Sequence, residues 1–312
     1  MSLPFTTLDV FTITRYLGNP LAVIRVPYSQ RITLTEAQKQ VIAREFNYSE
    51  TVFLHDPTPE EPEIADYDIF TPASRLAFAG HPTIGTAHYV ASHADKYPGV
   101  TKLRTLAGII PFEVNGGEVG KRTATVSIPH DVYEHKARLS HPFPDTKTNG
   151  SDSETVPVFS IVKGMAFNLV PMKDLPALAL PTHGLIPVPN LYDREHLDQG
   201  SGWDVGYTGS FFYVDLGTDP EEEGVRLLRT RGIGSREDPG TGSASCALSS
   251  YLALREVGEK GGKIKYHLTQ GVEMGRRCDI YVEVTVKEGG KQIESVRMSG
   301  EAVEVMEGTV KV

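Results

Sequence analysis

The chain has 312 residues, of which 40 are acidic and 31 basic, giving a formal charge of −9. That length allows two domains of ordinary size, and the acidic excess disfavours nonspecific binding to nucleic acid or anionic lipid while leaving room for a local anion site built from backbone amides. Two cysteines, an opening without a basic leader, and no run of about 18 apolar residues predict no disulfide framework, signal peptide or membrane span, and lead to the expectation of a cytoplasmic protein.

In chain order, Phe5 to Phe11 has a strand pattern, and Gly18-Asn19-Pro20 turns the chain into a second strand at Leu21 to Val26. Thr33 with Glu36 forms a capping-box pattern, and Leu34, Ala37, Val41 and Ile42 give a helical apolar stripe ending near Phe46. Strands are expected at Tyr48 to Leu54 and Tyr67 to Phe70, then a turn at Gly80 to Gly85 leading into a small-residue helix from about Thr86 to Ala94. Further strands lie around Leu106 to Val114 and Thr123 to Ile128. Residues 135–155 are rich in Ser, Thr, Asp, Lys and Pro and read as a linker between a first domain, 1–134, and a second, 156–300. The second domain opens with strands at Val156 to Val162 and Phe167 to Val170, and Leu175 to Asn190, with four prolines, makes a poor counterpart to the first helix. Alternation resumes at Ala302 to Met306, which predicts that 301–312 is a strand returning to the first domain.

Internal similarity is clearest between His81-Pro82-Thr83-Ile84-Gly85 and Asp238-Pro239-Gly240-Thr241-Gly242, each ahead of a small-residue helix, and Phe5 and Phe159 stand at nearly the same separation. Chance likeness of Gly/Pro turns is the plain alternative. Duplication predicts an α+β fold of two pseudo-symmetric domains, each a curved, mostly antiparallel sheet around a helix, with a small-molecule site between the halves.

Gly18-Asn19-Pro20-Leu21-Ala22-Val23, Ser49-Glu50-Thr51-Val52-Phe53, Ala79-Gly80-His81-Pro82-Thr83-Ile84-Gly85 and Glu237 to Ala244, in that order, resemble the phenazine-biosynthesis PhzF-like isomerases over most of the chain. The resemblance implies the diaminopimelate-epimerase fold, a homodimer, no metal or organic cofactor, and relocation of a proton on a small carboxylate-bearing substrate, as in a trans-2,3-dihydro-3-hydroxyanthranilate isomerase. It places the acid-base group on Glu50 and substrate-orienting roles on His81 and Asp238. The amino-acid epimerases of the fold use a cysteine from each half just before the two glycine turns. Matching those places to Ala79 and Pro239 removes a two-thiol mechanism. Arg75 stands where an acidic residue often does, which bears on substrate preference.

The residues carry part of this reading themselves. On a strand, Tyr48, Glu50, Val52 and Leu54 share a face, and a carboxyl among apolar neighbours gains a raised pKa suited to acid-base work. Glu50 escaping to solvent or pairing with Arg44 is the plainer alternative. His81 and Asp238 would occupy equivalent places in the two halves, although a turn histidine and a helix-capping aspartate explain them as well. Gly80, Gly242 and Ser243 would present helix-start amides to a substrate carboxylate; as simple turn formers the glycines need no ligand. A racemase or lyase acting at the same residues, or a noncatalytic small-molecule-binding protein, remains the rival. Glycine runs at Gly232 and Gly240 lack the third glycine of a dinucleotide fingerprint, and His88 and His93 have the wrong spacing for a metal pair.

Overall fold

The computed structural model describes residues 2–116, 122–143, 154–181 and 193–312. Two compact units divide the chain, Met1–Ile128 with Met298–Val312, and Pro129–Arg297.

In the first unit, β1 (Ser2–Val10) and β2 (Asn19–Val26) form an antiparallel hairpin. Gly18 closes it at φ +69°, where a Cβ would lie 2.4 Å from the Val10 carbonyl oxygen. Helix α1 (Glu36–Phe46) then carries the chain back, so β3 (Glu50–His55) runs parallel to β2. β4 (Ile64–Phe70) is antiparallel to β3, and the two-residue β5 (Arg75–Leu76) is antiparallel to the end of β4. After α2 (Gly80–Ser92), β6 (Lys102–Thr105) runs parallel to β4 and continues antiparallel into β7 (Gly108–Asn115) and β8 (Thr123–Ser127). The last strand of the chain, β18 (Ala302–Lys311), pairs antiparallel with β1 along its whole length.

The second unit repeats these steps. β9 (Tyr133–Ser140) flanks β10 (Thr155–Val162) as β18 flanks β1, and β10 forms a hairpin with β11 (Met165–Pro171). A one-turn helix, α3 (Leu175–Leu178), precedes β12 (Tyr207–Thr218), which is parallel to β11. β13 (Val225–Ile233) and the two-residue β14 (Glu237–Asp238) follow antiparallel. Then come α4 (Gly242–Glu256), β15 (Gly262–Gln270) parallel to β13, β16 (Cys278–Val286) antiparallel to β15, and β17 (Ile293–Gly300). Tracing the ladders puts Ile24, Phe53 and Phe70 in the places of Val170, Phe212 and Ile233. All six are buried, under Ile42 and Ala43 of α1 in one unit and Ala177 and Leu178 of α3 in the other.

Each unit wraps its strands about one helix, as the α+β reading expects. Every residue from Gly80 to Val90 is buried, so α2 is covered on all sides, and it touches β1, β2, β3, β7, β8 and β18. Small residues make that approach possible: a Cβ at Gly85 would stand 2.5 Å from Leu21 Cδ2 and 2.8 Å from Val10 Cγ2. α4 packs likewise on β10, β11, β15 and β16.

Four sequence expectations change. The capping box of α1 is Thr35 with Gln38, two residues beyond Thr33 and Glu36, because Gln38 returns the hydrogen bond to the Thr35 amide as a glutamate would. Its inward face is Leu34, Lys39, Ile42 and Ala43, while Val41 is 62 % exposed. A lysine can occupy that face because its ammonium meets Asp68, 2.5 Å away. α2 starts at Gly80 instead of Thr86, since Pro82 sits in the first turn, where no intrahelical donor is needed. Residues 133–140, partly inside the expected linker, form β9, whose polar outer face hid the alternation; residues 144–153 and 182–192 lie outside the described residues.

Candidate active site

Three element starts converge in the first unit. Asn19 opens β2, Glu50 opens β3 and His81 is the second residue of α2. Glu50 is held opposite Leu21 of β2, its side chain 17 % exposed, and α1 and α2 both pack on β3, which is why Thr51 to His55 are buried on both faces. Tyr48, expected on the same strand face, precedes the strand. Glu50 Oε2 stands 3.5 Å from His81 Nδ1, and Arg44 instead donates to the Pro72 carbonyl. Asn19 Nδ2 lies 3.3 Å from the same ring nitrogen, while Asn19 Oδ1 accepts from Ser49 Oγ at 3.3 Å.

His81 is 5 % exposed. Burial drives its pKa down to about 3 against a smaller opposing effect of the Pro20 backbone, so the ring is uncharged at neutral pH. Its contact with Glu50 is therefore between a carboxyl group and a neutral imidazole. Nε2 is buried and has no protein partner. Ala79, the N-cap of α2, supplies no side-chain cap to the first amides of the helix.

In the second unit Asp238 ends β14 and its carboxylate accepts from Thr241 Oγ1 at 2.7 Å. Gln270, fully buried at the end of β15, locks this turn: Nε2 donates to the Asp238 carbonyl at 2.7 Å and to Thr241 Oγ1 at 2.9 Å, and Oε1 accepts from the Thr241 amide at 3.0 Å. Gly271 packs so closely that a Cβ would lie 2.6 Å from the Pro239 carbonyl. Thr241 is the N-cap of α4, yet its hydroxyl serves Asp238 instead of the helix amides. The amides at Gly242 and Ser243 are thus uncapped, and both residues are buried. Asn19 and Thr241 lie within the family-like motifs Gly18 to Val23 and Glu237 to Ala244, and Gln270-Gly271 with Arg276 resembles a family turn as much as a plain hairpin, but the sequence carries no signal for the hydrogen bonds that bring Asn19, Thr241 and Gln270 into the site.

The expected equivalence of His81 and Asp238 does not hold. Each two-residue strand is followed by three residues and then a helix-opening glycine, which matches Leu76 to Asp238, Gly80 to Gly242 and His81 to Ser243. The linear match was displaced because it aligned the Gly-Pro chemistry of two turns whose helices start at different points within it. By the same register the counterpart of Ala79 is Thr241, not Pro239, and Glu50 corresponds to Gly209, where a Cβ would lie 2.5 Å from the Ile233 carbonyl. The halves share a scaffold but not its chemistry: the carboxylate at the strand start belongs to one unit alone. Cys246 and Cys278 are both buried away from these positions in the chain, and burial raises the Cys246 thiol. Among the described residues no group of three or more His, Cys, Asp or Glu could hold a metal ion, and no helix is long and apolar enough to cross a membrane.

Comparison with known proteins agrees with this picture. The chain is 31% identical to the uncharacterized isomerase mll1393 of Mesorhizobium japonicum, covering 96% of each protein. It is 27% identical to the trans-2,3-dihydro-3-hydroxyanthranilate isomerase of Pseudomonas aeruginosa, covering 97% of this chain and 98% of that one. Among solved structures, the phenazine biosynthesis protein of the PhzF family from Bacillus anthracis matches the fold over 100% of both chains, with a TM-score of 0.74 at 19% identity. The profile described as phenazine biosynthesis-like protein matches residues 8–183 and 229–308, spanning both glycine-opened helices and Glu50, and the chain belongs to that family.

Proposed function

We propose that this chain is an isomerase that relocates a proton on a small carboxylate-bearing substrate, with Glu50 as the proton carrier. Support comes first from one contact: Glu50 Oε2 lies 3.5 Å from the ring of a buried, uncharged His81 whose other nitrogen has no protein partner. In this reading Glu50, ionised, takes a proton from a substrate carbon. The electron pair moves through the conjugated system, and the protonated Glu50 delivers the same proton to a second carbon. His81 Nε2 is available to a substrate oxygen that gains charge, Asp238 orients the substrate, and the amides of Gly242 and Ser243 hold its carboxylate, with Gly80 admitting the substrate close to the backbone. Neutral imidazole suits that role, because it donates without removing the proton Glu50 must return.

A trans-2,3-dihydro-3-hydroxyanthranilate-like compound, the substrate in the names of curated relatives, is the first candidate. A two-base racemase is disfavoured by Gly209, which leaves the counterpart of Glu50 without a side chain. Incubation with conjugated carboxylates in deuterated water tests the proposal. Label should enter at carbon with the wild type and not with Glu50→Gln; a wild type that binds such compounds without exchanging any carbon-bound hydrogen would make the protein a binder and end the reading.

A further inference from the structure

Two ion pairs, each with one buried member, occupy corresponding places in the two units with their charges exchanged. In the first unit Phe70 faces Arg75 across the β4–β5 ladder, and Asp68, two residues back on the same strand face, receives the Arg75 guanidinium. In the second, Ile233 faces Glu237 across β13–β14, and Arg231, two residues back, holds Glu237 bidentately, Nε to Oε1 at 2.8 Å and Nη2 to Oε2 at 2.9 Å. The strand-side ion is the buried one in each, Asp68 at 8 % exposure and Arg231 at 2 %.

The sign of that ion follows what the preceding connection supplies. Helix α1 brings the Lys39 ammonium to Asp68 at 2.5 Å, and His55 Nε2 adds a contact at 2.8 Å. In the second unit the end of α3 brings carbonyl oxygens instead, and Arg231 Nη1 donates to Leu178 at 2.8 Å and Leu180 at 2.5 Å. A buried anion suits the first setting and a buried cation the second. Each clamp grips a strand of only two residues, too short to stay paired on its backbone bonds alone. That strand delivers the site: His81 comes six residues after Arg75, and Asp238 is next to Glu237.

We propose that Asp68–Arg75 and Arg231–Glu237 are one duplicated, charge-inverted clamp, and that Arg75 and Glu237 are positioning residues for the starts of α2 and α4. The roles of His81 and Asp238 rest on the function proposed above; the clamp does not. Arg75 accordingly spends Nη2 on Asp68 and Nη1 on Glu36 Oε2, at 2.9 Å for the latter, so both ends of its guanidinium are committed to the clamp in this chain.

Amide hydrogen exchange on the intact chain, which needs no substrate, tests this. Arg75→Gln should speed exchange roughly tenfold at residues 78–84 and Glu237→Gln at residues 240–246, with the far ends of α2 and α4 unchanged. Arg75→Lys, which keeps the charge, should restore most of the protection. The His81 ring resonances should shift in Arg75→Gln and stay put in Val26→Ala, a core variant that weakens the same unit elsewhere. Unchanged exchange at both helix starts, or equal acceleration throughout the unit, would overturn the clamp. Loss of deuterium wash-in by the wild type would instead strike the proposed function and leave these readouts standing.

Discussion

Glu50 is set apart from the other carboxylates by its neighbours: a strand start half-closed by β2 and a neutral histidine 3.5 Å away. Glu50→Gln keeps size and hydrogen bonding but cannot accept a proton, so turnover should fall by about 10² to 10⁴ or more while melting temperature and ligand affinity hold. Steady-state kinetics beside a melting curve check this; retention of carbon-hydrogen exchange by the variant would move the proton to another group. His81 carries a stability signature of its own. Its pKa is about 3 in the folded chain and near the ordinary imidazole value when unfolded, so between those values the unfolded state binds a proton that the folded state does not. Its contribution to stability is present above the unfolded value and is lost as pH falls through this window. His81→Asn should remove that slope, about 1.4 kcal/mol per pH unit, from the acid limb of the urea-unfolding stability curve. Identical acid limbs for the two proteins would mean that His81 titrates normally. The residue types at this site were legible in the chain, but the charge state of His81 was not, because it depends on strands that bury it from far away in sequence.

At the scale of elements, turns are legible in the sequence, whereas caps and boundaries are fixed by their surroundings. The hairpin at Gly18 is forced by a left-handed backbone and a 2.4 Å approach to Val10, features that a Gly-Asn-Pro signal announces locally. The cap of α1 was legible as a pattern but fell on the wrong pair, since Thr33 and Thr35 both precede a Glu or Gln at the right distance. Only Thr35 accepts from a helix amide, Gln38 N, at 3.3 Å, whereas Thr33 Oγ1 donates to the Gln30 carbonyl. Thr35→Ala should therefore cost about 1 kcal/mol and Thr33→Ala clearly less, as measured by chemical unfolding. Equal losses would show that the helix start is held by something other than the box. β14 and β5 could not be read at all: two-residue strands carry no periodicity, and what fixes them is an ion pair to the neighbouring strand.

For the whole molecule, the closing strand decides which residues fold together. β18 runs beside β1 over nine paired positions, from Ser2 opposite Lys311 to Val10 opposite Ala302, so the first unit is complete only after the second has been made. Ending the chain at Gly300 should cost an amount comparable to a domain's full stability, about 5–15 kcal/mol, and leave the first unit without a cooperative melt. Circular dichroism would show it, and a truncated chain that melts like the full one would mean β18 is dispensable. Sequence alone determined the alternating strand and helix chemistry, because period and turn type are properties of short stretches, and through its family resemblance it offered Glu50, His81 and Asp238 as candidate site residues. Tertiary structure decided the rest. The match between halves shifts wherever their connections differ in length, as with the 11-residue α1 against the four-residue α3. Only ladder pairing could therefore make Gly209 the counterpart of Glu50 and Ser243 that of His81, and only burial among distant strands could neutralise His81 or choose the sign of each clamp.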